Sequence, residues 1–181
     1  TFKDYPEFKP NLTPKQVFKL GSFGGTYFRD IKSDVTGKSY KGKTVIKKYP
    51  PDWFKGIDIE KKVISSEYDK KVNKYNAKCG SSLENWEKSG WIMKQDPYGW
   101  FQWYCHFYMG RRTKDDQRQI DRWKGVAGPN GRFKKNLMNK IIKSRKSFND
   151  PSVSPVIRQV LQHWGYRLSK AHLESYKKSK K

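Results

Sequence analysis

Residues 111–146 carry 13 lysines and arginines against three aspartates, a net charge of +10 in 36 residues out of +23 for the whole chain. Cations at this density repel one another. A polyanion relieves the repulsion, because its phosphates neutralise the side chains and release condensed counterions. Arg111, Arg112, Lys114, Arg118 and Arg122 lie in the first half of the stretch. Arg132, Lys135, Asn139, Lys140 and Lys143 lie in the second. Between them runs GVAGPNGR, with Gly125, Gly128 and Gly131. Glycines let backbone amides approach a ligand, and a helix that follows offers N–H groups and a favourable dipole to an anion. The turn at Gly128 and Gly131 is therefore the expected phosphate seat. Arg118 or Arg122 could reach guanine edges and Asn136 or Asn139 adenine, but backbone contact is the expected role for most of these residues.

Elsewhere the makings of a reaction centre are sparse. Asp96 and Asp116 are the carboxylates to consider first for nucleic-acid chemistry. Asp115, Asp116 and Asp121 stand among arginines and could bind Mg²⁺, yet Asp116 and Asp121 are five apart, a poor pairing on one helix face; ion pairs and helix capping account for them. Cys105 and His106 are neighbours, and neighbours on a helix point about 100° apart, so they form no dyad with each other. Cys79 and Cys105, with three scattered histidines, lack zinc spacing. The segment GSFGGTYFR, residues 21–29, is glycine-rich but lacks the lysine and the strand-to-helix setting of a P-loop. No metal or cofactor is expected.

Two short stretches resemble known elements. The order helix, GVAGPNG, helix resembles a helix-hairpin-helix, which grips DNA phosphates through hairpin amides. The resemblance spans about 30 residues and departs from the usual G-h-G spacing at Ala127. It implies backbone contact with duplex DNA. KQDPYGWF, residues 94–101, shares the letters QDPY with a water-activating motif of uracil-DNA glycosylases. That family pairs it with a histidine-containing motif, and His163, in QHWGY, does not match. Asp96-Pro97 as a helix start explains the same letters more simply.

The elements that must position these residues are marked by proline and glycine. Thr13-Pro14 opens a helix that Gly21 stops; Asp96-Pro97 and Gly110, then Ser154-Pro155 and Gly165, repeat the signal. Ser81 with Glu84 reads as a capping box for a short helix ending at Gly90. Thr113 with Asp116 caps a helix running to Lys124 and stopped by Gly125, and a sixth helix begins near Gly131 and runs toward Lys146. Trp100, Trp103, Tyr104, Phe107 and Tyr108 follow the helical i, i+3, i+4 rule and predict a core helix rather than an exposed base-stacking platform. Ile120 and Trp123 anchor the first basic helix. Phe133, Leu137 and Ile141, with Met138 and Ile142, anchor the second.

Hydrophobic content is only 34% and mean hydropathy is −1.03, but 7 Trp, 11 Tyr and 10 Phe can build a core from few residues. The expected fold is mainly α: a compact, aromatic-cored helical domain of about six helices over residues 1–166, with a minor β or irregular N-terminal part. Thr44-Val45-Ile46 is its most strand-like run. Residues 167–181 read as a basic C-terminal tail. No apolar run approaches the roughly 20 residues of a membrane span, and no basic helix leaves a large apolar face for a membrane surface. No signal-peptide pattern opens the chain, although Thr1 leaves a removed leader open. An intracellular, nuclear or other nucleic-acid-containing compartment is expected.

The expected function is nucleic-acid binding, duplex DNA before RNA, through the phosphate backbone. The alternatives are a nucleic-acid-processing enzyme (base-excision glycosylase or nuclease) and a structural component of a nucleoprotein particle.

Overall fold

A computed structural model describes all 181 residues, and its helices follow the proline–glycine punctuation. Thr13 opens α1 (Pro14–Leu20) with a full capping box: its Oγ1 accepts from the Gln16 amide at 3.2 Å, and Gln16 Oε1 accepts from the Thr13 amide at 2.8 Å. Two short helices follow, α2 (Gly42–Val45) and α3 (Ile59–Lys62). The larger ones are α4 (Leu83–Lys88), α5 (Trp100–Tyr108), α6 (Asp116–Ala127), α7 (Arg132–Ser144), α8 (Pro155–His163) and α9 (Lys170–Ser179). The only sheet is an antiparallel pair of two-residue strands, β1 (Ile31–Lys32) and β2 (Ser39–Tyr40), with Ile31 opposite Tyr40.

Several boundaries differ from expectation, each for a local reason. Ser82, not Ser81, caps α4 by accepting from the Asn85 amide, while Ser81 accepts from the Asn85 side chain. Asp96 opens no helix. Gly99, at φ 105°, intervenes, and α5 starts at Trp100. Ser154 precedes α8 in a left-handed conformation and makes no side-chain cap. Gly125 does not stop α6, which runs two residues further before Gly128 ends it. Thr44-Val45-Ile46 is helical rather than extended: Asp30 Oδ1 takes the Gly42 amide at 2.7 Å and turns the chain, and Val45 is buried in the core. Tertiary contact overrides the β-propensity of that run.

The centre of the molecule is α5. Trp103, Cys105 and Phe107 are fully buried and Trp100, Phe101 and Tyr104 nearly so; only Tyr108, at the end, is exposed. Phe8, from the irregular N-terminal segment, is the hub of the cluster, with T-shaped contacts to Trp100, Tyr104, Phe107 and Trp123 at 5.2–6.3 Å. Edge-to-face geometry brings the positive rim of one ring to the negative face of another, adding to what burial alone provides. The buried polar ring edges find partners: Trp100 Nε1 donates to the Gln119 carbonyl, Trp103 Nε1 to Asp116 and Tyr104 Oη to the Leu12 carbonyl.

The glycine-rich segment after α1 is a buried turn. The Phe23 amide donates to His163 Nε2 and the Gly24 amide to Asn73 Oδ1, so neither faces solvent as a phosphate loop would. Its glycines are required by close approach: a Cβ on Gly21 would lie 2.0 Å from the Val72 carbonyl oxygen, and one on Gly25 equally close to that of Lys61. Residues 167–181, expected as a basic tail, are largely helical. α9 sets Leu173 into the core and leaves its lysines exposed. No helix is long and apolar enough to cross a membrane.

Candidate nucleic-acid interface

Two amphipathic helices carry the basic stretch and pack against each other. On α6, Ile120 and Trp123 are buried as expected, and Trp123 Nε1 donates to the Trp164 carbonyl at 2.9 Å. On α7, Leu137, Met138 and Ile141 are buried, with Phe133 and Ile142 half-buried beside them. The turn between the helices is tight. A Cβ on Gly131 would meet the Val126 carbonyl at 2.5 Å, and one on Gly128 would meet the Lys124 carbonyl oxygen at 2.7 Å.

The expected phosphate seat changes accordingly. Gly128 donates its amide to Lys124 O, and Gly131 donates to Gly128 O. These glycines therefore serve helix-to-helix approach, and their own N–H groups are occupied. At the start of α7, Gly131 supplies no side-chain cap to the first amides.

The cations divide into two groups. Arg111 is committed to the interior: its Nη1 and Nη2 donate at 2.9 and 2.6 Å to the two oxygens of Asp96, which is 1% exposed. Arg112 lies 3.6 Å over the Phe107 ring and pairs with Asp4, which holds the Asp4 carboxyl below its ordinary range. Arg118 makes a two-pronged pair with Asp115 and donates to the Trp91 carbonyl. Arg122 bonds to Gln119 and sits between the Trp91 and Trp164 rings at 5.2 and 5.5 Å. Burial, then repulsion from Arg118, brings the Arg122 guanidinium down to about 10. These four hold the structure together first and face a ligand second.

The second group is different. α7 contains no acidic residue, and the eight ion pairs of the molecule use none of its cations. Arg132, Lys140 and Lys143 are exposed, Lys135 is half-buried, and Lys114 is exposed in the loop before α6. Asn139 is not free to read a base: its Oδ1 accepts from both Tyr176 Oη and Lys180 Nζ at 2.7 Å, tying α9 to α7. Lys180, just past the end of α9, is thereby held against α7.

The two candidate catalytic carboxylates have structural occupations. Asp96 also accepts from Gln95, and Asp116, 1% exposed, accepts from Trp103 Nε1 and from the Thr113 amide and hydroxyl. Neither meets solvent. Cys105 is fully buried, and His106 bonds to Tyr49 rather than to a nucleophile. A Cys79–His163 contact of 3.6 Å does exist, but burial pushes the thiol up to about 12 and the imidazole down to about 3, so the neutral pair generates no thiolate. No three His, Cys, Asp or Glu side chains gather closely enough to hold a metal ion.

A groove of about 870 Å³ opens between the end of α6, the turn, α7 and α9. Lys9, Lys124, Lys134, Lys135 and Lys180 line it against one acid, Glu7. Of these only Lys135 stands out from the sequence as a site residue. Lys124 and Lys134 belong to the same basic stretch without being singled out in it, and Lys9 and Lys180 come from opposite ends of the chain, where no local pattern marks them. Comparison with protein-family models, curated proteins and solved structures returned no match to this chain.

Proposed function

We propose that the protein binds nucleic acid, duplex DNA before RNA, mainly through the phosphate backbone, using the exposed face of α7 with Lys180 beside it. One observation carries this reading: α7 presents Arg132, Lys135, Lys140 and Lys143 with no acidic side chain on the helix and no ion pair to any of them. Solvated lysine faces are common, but acids normally intersperse them, and a fixed row without counter-charge suits a phosphate backbone. Arg111, Arg112, Arg118 and Arg122 are already engaged with Asp96, Asp4, Asp115 and Gln119 and contribute less to this reading.

The test is binding of nuclease-treated protein to labelled duplex DNA, single-stranded DNA and RNA across a salt series. Duplex affinity should fall by roughly 0.9 log units per log unit of salt for each phosphate neutralised. Lys140→Glu with Lys143→Glu should weaken binding and reduce that slope by about one for each phosphate no longer neutralised. Absence of binding to all three at moderate salt overturns the proposal. A component of a nucleoprotein particle is the second reading, favoured by the exposure of Trp91, Met93, Tyr108 and Met109, which would serve as protein contacts.

A further inference from the structure

We infer that the groove between α9 and the start of α7 is a seat for one phosphate group, held by the Lys134 ammonium at its wall. The inference deepens the nucleic-acid reading and rests on it only for the source of the phosphate.

Lys134 is the decisive residue. The residue as a whole is 9% exposed, lines the groove, and has neither an ion pair nor a hydrogen-bond partner in the protein. Lysine is rarely buried without a counter-charge, because the ammonium loses hydration that nothing replaces. Here the Nζ keeps only a narrow opening to solvent through the groove, and its one compensating contact within the protein is the face of Tyr166, 4.8 Å from the ring centroid. Burial lowers the Lys134 pKa accordingly. An anion in the groove would supply the missing partner.

The surroundings fit a phosphate better than a carboxylate side chain of another protein. Lys9, Lys124, Lys135 and Lys180 ring the same space, so the site offers more positive charge than one carboxylate would balance. The volume lies within the range of small-ligand sites and admits a nucleotide unit. The turn residues Pro129 and Asn130 line the groove just ahead of the uncapped start of α7.

His172 provides a reporter. Tyr166 Oη lies 2.6 Å from His172 Nδ1. Burial raises the Tyr166 phenol, so the hydroxyl donates and Nδ1 accepts, which leaves the proton of the neutral ring on Nε2. Burial, then the charge of Lys134, lowers the His172 pKa. The groups charged around the groove are Lys134, Lys9, Lys124, Lys135, Lys180 and the lone acid Glu7. A bound phosphate offsets the cations, so the His172 pKa must rise on binding.

The experiment is NMR of the imidazole C–H resonances of the three histidines of the full chain, titrated first with inorganic pyrophosphate, then with a nucleoside 5′-monophosphate and the corresponding nucleoside. Both phosphates should shift the His172 resonances and raise its pKa by about half a unit or more, while the nucleoside does neither. Lys134→Met should lower the affinity for pyrophosphate by roughly tenfold or more without lowering the melting temperature, since methionine is unbranched and content to be buried. Lys180→Gln, at an exposed position, should give a smaller loss. If His172 stays silent to both phosphates, or if Lys134→Met binds as well as the parent, the seat does not exist. Salt-dependent duplex binding alongside a silent His172 would sink the groove and leave the proposed function standing. Pyrophosphate binding without duplex binding would do the reverse and assign the site to a free phosphate or nucleotide.

Discussion

At the scale of single residues, the charged side chains of this protein do two kinds of work that their types alone do not separate. Arg111 closes a two-pronged pair on Asp96, a carboxylate that water does not reach. Arg111→Ala would leave that charge buried and alone, so equilibrium unfolding in urea should show a loss of about 3–5 kcal/mol. Lys140→Ala should stay within about 0.5 kcal/mol by the same measurement. His163 makes a second residue-level prediction. Its Nε2 accepts from the Phe23 amide, and burial holds its pKa at about 3. The unfolded chain takes up that proton near pH 6.5 and the folded one only near 3, so the unfolded state binds more protons between those limits. Stability therefore falls as pH drops from about 6.5 toward 3, at up to about 1.4 kcal/mol per pH unit from this group. His163→Gln, whose side-chain oxygen can still accept from Phe23, should flatten the difference between unfolding measured at about pH 7 and at about pH 5.

At the scale of elements, caps and close approaches decide where helices sit. The α6–α7 turn depends on Gly131 for space rather than for backbone conformation, its φ being an ordinary −62°. Gly131→Ala puts a methyl group into the Val126 carbonyl and must force the two helices apart. We expect a loss of about 2 kcal/mol or more in thermal or urea unfolding, as for other overpacked sites, together with weaker duplex binding because the basic face of α7 shifts. Gly125→Ala, in an exposed helical position with open space around it, should be neutral or stabilise by about 0.5–1 kcal/mol. The two glycines stand six residues apart in one motif, and only their surroundings separate them. Helix starts and stops were legible to within a few residues, because proline at the first turn and glycine past the last act locally. Thr44-Val45-Ile46 was not legible, since the Asp30 contact and the burial of Val45 that make it helical come from elsewhere in the chain.

At the scale of the whole molecule, 40 lysines and arginines stand against 17 acids, a net charge of +23 that the eight internal ion pairs leave untouched. Most of the excess is therefore met by solvent and counterions, and self-repulsion works against the folded state. Raising NaCl from low to moderate concentration should raise the melting temperature by screening this repulsion. Duplex DNA at low salt should raise it further, by mass action on the folded form. A duplex that leaves the melting temperature unchanged at concentrations well above the protein's would argue against binding.

The sequence by itself determined that the chain folds around aromatic side chains, that six helices begin and end near particular prolines and glycines, and that 111–146 is a pair of amphipathic basic helices. These follow from periodicity and capping, which are properties of neighbouring residues. Only the tertiary structure decided which cations are available. Asp4 reaches Arg112 across 108 residues and Asp96 reaches Arg111 across 15, while Asp115 takes Arg118 from one turn away, and all three arginines are already paired. Lys9, Lys134, Tyr166, His172 and Lys180 meet in one groove because α9 packs back on α7 through Asn139. A counter-charge can be near or far in sequence, and a pocket is made of residues that share space rather than spacing.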